Sequence, residues 1–232
     1  MNTLDDLYKK CFVVSDDVSV DEHDDGLLVI KNLFKNPNLI INFQNLLSKW
    51  ESCNSAKPGI MSLQLPYWTA NYVLRQLFDF ECKWRSSQTE FIYFYWNNSA
   101  RDSSPDDLRS NNCLLPHTDD NRSMESLIFL VNLNHRPIKT GFWKFNGTRY
   151  ETLSPKESMY YKYSEGINED NIDIMTNNGK LDKEFDIEYH FNEAIMYPAS
   201  RFHQPIIDTF YTRETPRILL RYCYNLANEC DD

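Results

Sequence analysis

Apolar positions recur at helical spacing in the first third of the chain, and thereafter gather into short runs of strand length. Gly26–Phe34 is a compact apolar run of the kind a buried strand makes. Lys35-Asn36-Pro37-Asn38 has the chemistry of a turn and a helix start, and Leu39–Trp50 follows with apolar residues at helical intervals. After the Lys57-Pro58-Gly59 turn, Trp68–Phe80 predicts a second amphipathic helix with Val73, Leu74, Leu77 and Phe78 on one side. Strands are predicted at Thr89–Trp96, Ser126–Leu133, Thr140–Phe145, Phe185–Phe191, Ala194–Tyr197 and Arg217–Tyr224, where aromatic and β-branched residues concentrate. The Asn146-Gly147 pair predicts a hairpin from the Thr140–Phe145 strand into the segment that starts near Tyr150. Helices first and strands afterwards predict an α+β chain, a helical layer packed on an antiparallel sandwich or barrel.

The segments between these elements are polar. Residues 1–25 end in the acidic run Ser15–Asp25 and read as a mobile or lightly packed lead-in, leaving 26–232 as a single domain. Asn97–Asn112 reads as a loop, and Glu165–Lys183 as a surface insertion or lid.

Composition narrows the class without naming a function. The 232 residues carry a net charge of -10, and an acidic surface repels phosphate backbones, so a nucleic-acid partner is not expected. No apolar run nears the roughly 18 residues of a membrane span, and Met1–Lys10 lacks the apolar segment of a signal peptide, so a cytoplasmic protein without a membrane partner is expected. Cys11, Cys53, Cys82, Cys113, Cys223 and Cys230 include no C-x-x-C pair and read as reduced, mostly buried thiols. With only six glycines there is little room for a phosphate-cradling loop.

The histidines carry the chemistry. His117-Thr118-Asp119 places an imidazole and a carboxylate at i and i+2, which project to one side of an extended segment. The apolar approach Cys113-Leu114-Leu115-Pro116 would bury that pair, whereas His23 and Asp25, spaced alike, lie in an acidic run and read as solvated. One distal histidine would complete a set of two imidazoles and one carboxylate, leaving half of an octahedral Fe(II) open for a co-substrate and O2. His203, in a turn after the Ala194–Tyr197 strand, suits that role best. His190 reads as a mid-strand competitor, and His135 as an exposed turn residue. Arg217 and Arg221 lie four residues apart on the last strand, on one side of it with Leu219 and Cys223. Two cations buried there call for an anion to meet them, whether a ligand carboxylate or acidic side chains at a strand end. Arg213, in the loop before, is a third candidate.

In that order the segments resemble the Fe(II)/2-oxoglutarate-dependent dioxygenase superfamily, in the style of its prolyl-4-hydroxylase-like branch and uncharacterised bacterial relatives. The resemblance runs through Leu27–Leu47, Pro116–Asp119, Leu127–Leu133 with Thr140-Gly141-Phe142, Asn192–His203 and Arg217–Tyr224. It implies a double-stranded β-helix (jelly-roll, cupin-like) core with the N-terminal helices packed on one sheet. It further implies Fe(II) held by His117, Asp119 and His203, and a 2-oxoglutarate co-substrate held by Arg217 in preference to Arg213 or Arg221. Tyr95, before Tyr93, would be a second partner of that co-substrate. Carboxylate-bearing Asp119 implies hydroxylation, with O2 consumed and 2-oxoglutarate released as succinate and CO2. Desaturation, cyclisation or crosslinking at the same iron is the nearest alternative, and a metal-free jelly-roll binding module is the alternative from another class. Trp143 is a candidate substrate contact, and the acidic balance favours a neutral or cationic substrate such as an amino acid, a peptide or a peptide-like small molecule.

Overall fold

The computed structural model describes residues 4–24, 26–46, 50–52, 60–62, 65–66, 68–78, 91–97, 118, 126–145, 147–149, 181–206 and 217–225. The chain opens with α1 (Leu4–Cys11), β1 (Ser19–Asp24), β2 (Leu27–Lys31) and α2 (Pro37–Leu46). The short strands β3 (Trp50–Ser52) and β4 (Ile60–Ser62) lead to α3 (Trp68–Phe78). The strands β5 (Phe91–Asn97), β6 (Ser126–Asn132), β7 (Ile138–Phe145), β8 (Leu181–Tyr189), β9 (Ala194–Pro198), β10 (His203–Ile206) and β11 (Arg217–Asn225) complete the order. Among the described residues they form two antiparallel sheets, one of eight strands in the order β1-β2-β9-β6-β11-β5-β4-β3 and one of three in the order β10-β7-β8.

Each face of the large sheet has its own core. On one face Phe129, Val131, Ala194, Met196 and Leu220 pack against Tyr8, Cys11 and Phe12 from the α1 region, Ile40 and Phe43 of α2, and Val73 and Leu74 of α3. On the other, Ile128, Leu130, Ile195, Tyr197 and Leu219 meet Ile138, Phe142, Ile187 and Tyr189 of the small sheet. Burial on both faces explains why β6 and β9 read as unbroken apolar runs instead of alternating ones.

Local chemistry sets the element ends. Pro37 opens α2, where its missing N–H costs no intrahelical bond, and the Asn36 carbonyl accepts from Leu39 N at 2.9 Å. Asn192 turns the chain from β8 into β9 with a left-handed φ of 62°, which Asn tolerates better than most residues. Its side-chain amide accepts from Phe34 N and donates to Phe34 O, both at 2.9 Å. On α3, Gln76 accepts from Val14 N at 2.9 Å and donates to Phe12 O at 3.2 Å.

Several expectations change in detail. Residues 4–24, read as a lead-in, carry α1 and β1, and Phe12 is fully buried because Tyr8, Cys11 and Phe12 lie on one side of a charged helix. Among the described residues β7 pairs with β8 on one edge and β10 on the other, while Asn146 and the segment from Tyr150, where a hairpin was expected, lie outside the described residues. β8 begins at Leu181, inside the segment read as a lid; residues 165–180 lie outside the described residues, as do 98–112 of the other polar loop. His190 follows β8 instead of lying within it, and is exposed beside Glu188 at 3.8 Å.

Candidate active site

His203 opens β10 directly after the turn Pro198-Ala199-Ser200-Arg201 that carries the chain from the large sheet to the small one. The turn is closed by Arg201 N donating to Pro198 O at 2.9 Å. Phe202 is tied on both sides, its N–H donating to Arg149 O at 3.1 Å and its carbonyl accepting from Trp143 N at 3.0 Å. Opposite Phe142 in the ladder, His203 is only 4% exposed, and its ring lies 4.9 Å from that of Tyr197. Its Nδ1 is 2.9 Å from the Arg201 carbonyl. A carbonyl only accepts, so Nδ1 carries the proton and the lone pair of the neutral ring is on Nε2. That is the tautomer of a metal ligand whose second nitrogen is held by a backbone carbonyl.

Of the other proposed iron ligands, His117 and Asp119 lie outside the described residues. Thr118 between them is described, and it is buried, with 3% exposure. Among the described residues no three His, Cys, Asp or Glu side chains converge as a metal group.

The co-substrate candidates come together by strand register. β11 runs between β5 and β6, with Leu219 opposite Tyr95 and Arg221 opposite both Tyr93 and Leu130. Arg217, at the opening of β11, is opposite Asn97. Arg217, Leu219 and Arg221 are alternate positions of one strand, and Leu219 belongs to the core between the sheets. The two arginine positions are roughly 13 Å apart along the strand, so they cannot serve the same carboxylate oxygen pair equally. Arg221 is half-buried; Arg213 lies outside the described residues.

Trp143 follows the point where β8 bulges at Glu184 in its pairing with β7 and, through its bond to Phe202, sits beside the turn that delivers His203. Its indole is half-buried under Lys183, whose Nζ is 5.9 Å from the ring centre. The indole N–H is buried and has no hydrogen-bond partner among the described residues.

The sequence reading did not anticipate the charged cluster behind the turn. The Arg201 side chain is 3% exposed and donates from Nη2 to Glu184 at 2.7 Å and to Asp24 at 3.3 Å. Glu184, 8% exposed, also receives Arg149 at 2.9 Å and Lys144 at 3.0 Å, and Arg149 reaches Asp24 at 3.0 Å. The Arg201 guanidinium lies 5.8 Å from the Phe142 ring and 5.9 Å from that of Phe185. For Arg149, burial pulls the guanidinium pKa down, but the carboxylates of Glu184 and Asp24 outweigh it and hold the pKa above its ordinary value. These residues are far apart in the chain, and no local pattern marks them.

No family model matches the chain, and no curated protein matches it. Among solved structures it resembles that of SnoN, a non-haem alpha-ketoglutarate-dependent epimerase from nogalamycin biosynthesis. The TM-score is 0.46 at 10% sequence identity, over 87% of this chain and 78% of that one. No helix among the described residues is long and apolar enough to cross a membrane.

Proposed function

We propose that this chain is a non-haem Fe(II)/2-oxoglutarate-dependent oxygenase that hydroxylates an amino acid, a peptide or a peptide-like small molecule. The observation that carries the reading is the buried His203, its tautomer set by the Arg201 carbonyl so that Nε2 holds the lone pair. Strand order supports the double-stranded β-helix that the reading needs. From β6 in the large sheet the chain passes to β7 and β8 in the small one, back to β9, across again to β10 and back to β11, with β6 bonded to β9 and β11 and β7 bonded to β8 and β10. The burial of Thr118 fits an iron-binding segment that approaches the core instead of solvent.

Under this reading His117, Asp119 and His203 hold the metal, which when bound supplies O2 activation coupled to oxidative decarboxylation of 2-oxoglutarate. The remaining work falls to the chain. Arg217, with Arg221 as the alternative, pairs bidentately with the far carboxylate of the co-substrate, and Tyr95 or Tyr93 adds a phenolic donor from the neighbouring strand. Trp143 lines the substrate side, where its indole N–H can donate to a substrate acceptor. The walls between the sheets, built from residues such as Phe142 and Tyr197, exclude water from the reacting groups.

Succinate release from 2-oxoglutarate, measured with Fe(II), O2 and a panel of amino acids and peptides, tests the reading. Turnover stimulated by one substrate class supports it, and mass analysis of the product separates hydroxylation from desaturation or crosslinking. No succinate above the metal-free background under any condition would leave the metal-free binding module in its place.

A further inference from the structure

We propose that Arg201 is a positioning residue: its side chain, clamped by Glu184 and Asp24, holds its own backbone carbonyl where it fixes the imidazole of His203. The inference rests on the reading of His203 as a metal ligand, but its first step concerns the imidazole alone.

The argument begins with cost. Taking a guanidinium and a carboxylate out of water costs several kcal/mol per ion, and a well-packed apolar pair of similar volume often serves stability as well or better. Yet Arg201 and Glu184 are 3% and 8% exposed and meet at 2.7 Å. What the ionic pair supplies that an apolar pair does not is direction. Glu184 comes from β8 and Asp24 from β1, so the guanidinium is fixed from two strands that belong to different sheets. The Phe142 and Phe185 rings near it restrict the guanidinium further.

The backbone of the same residue is the one that orients the imidazole. Arg201 O accepts from His203 Nδ1 at 2.9 Å, two residues along the chain. Rotation of the Arg201 peptide would move that acceptor, and the ring would lose both its fixed plane and its preferred tautomer. Arg149 extends the clamp, because its side chain joins Glu184 and Asp24 while its carbonyl accepts from Phe202 N at 3.1 Å. The residues on both sides of the Phe202 peptide are thus tied to one ion cluster.

The experiment uses the full chain labelled with 15N-histidine, with long-range 1H–15N correlation spectra read first without metal. The His203 signals are assigned from a His203→Gln variant. Wild type should show His203 as one tautomer protonated at Nδ1. Glu184→Gln, which keeps the shape and removes the charge, should give an averaged or mixed tautomer pattern, and Arg201→Met the same, with Arg201→Lys restoring part of it. Asp24→Asn, at the more open end of the cluster, supplies a milder variant should the buried substitutions fail to fold. Cobalt(II) affinity, read from its visible absorption, should fall about 10- to 100-fold in Glu184→Gln, the range usual for loss of an outer support of a metal ligand. An unchanged His203 tautomer in the folded variants would overturn the proposal, whatever happens to cobalt binding. If wild type binds no cobalt while the tautomer responds as expected, the metal reading fails and the positioning of the imidazole stands.

Discussion

Asn192 offers a test of how the turn before β9 is held, and its cost can be worked from the contacts. Its side chain satisfies both backbone groups of Phe34, and Phe34 is 1% exposed. Truncation leaves a donor and an acceptor without their partner, at ~1–3 kcal/mol each for buried groups. Both bonds are only partly buried, so the low end of that range applies, about 1–1.5 kcal/mol for each group, and Asn192→Gly should cost about 2–3 kcal/mol. Asn192→Ala adds strain, because the residue sits at a φ of 62°. That strain, less the entropy glycine adds to the unfolded chain, makes alanine worse than glycine by about 0.5–1 kcal/mol. In a chain of 232 residues each kcal/mol lowers Tm by ~2 °C, so the melting temperature should fall by about 4–6 °C for glycine and 5–8 °C for alanine. Asn192→Asp keeps the acceptor for Phe34 N but sets a carboxylate oxygen against the Phe34 carbonyl. Protonation turns that oxygen into a donor, so the folded-state pKa is raised and stability should return as pH falls through it. Urea and thermal unfolding of the four proteins measure all of this. Losses below about 1 kcal/mol for both truncations, or alanine better tolerated than glycine, would show that the Phe34 contacts do not hold this turn.

Two further outcomes are expected from the packing. A methyl group at Gly141 would meet Asp186 Oδ1 at 3.0 Å, Ile206 Cδ1 at 3.1 Å and Trp143 Nε1 at 3.3 Å, so Gly141→Ala should cost about 1–2 kcal/mol through overpacking between β8 and β10; a neutral result in urea unfolding would mean that these neighbours yield freely. Burial raises the Cys11 thiol pKa, so the folded state keeps a proton that the unfolded chain gives up. That contribution is complete below the unfolded thiol pKa of ~8.5 and is lost as pH rises through the higher folded value. Wild type should therefore lose more stability than Cys11→Ala between neutral and alkaline pH, and parallel losses would contradict the assignment.

What could be read from the sequence depended on how local the physics was. β6 and β9 were legible because a central strand covered on both faces must be apolar throughout, as in Ser126–Asn132, and β5 and β11 because aromatic and β-branched residues concentrate in them. β1 was hidden, since Ser19–Asp24 is an exposed edge strand whose charges suit an edge and look like a solvated tail. α1 was missed because Tyr8, Cys11 and Phe12 stand among the acidic and basic neighbours of a short helix. His203 could be singled out from the strand and turn before it, and the structure places it buried at the start of β10. The clamp behind it could not be foreseen. Arg201 meets partners 17 and 177 positions away, and the group that orients the imidazole is a backbone carbonyl with no signature in residue identity.

The central claim is that His117, Asp119 and His203 hold one metal ion to which 2-oxoglutarate binds. Anaerobic titration of the full chain with Fe(II) and then 2-oxoglutarate, followed by visible absorption, tests it most directly. The account predicts a weak charge-transfer band that needs both additions. The band should be absent from His117→Ala, Asp119→Ala and His203→Ala proteins whose circular dichroism matches wild type, and Arg217→Ala should weaken 2-oxoglutarate binding without abolishing the metal site. A band that survives loss of His203, or none at all in folded wild type, would contradict it.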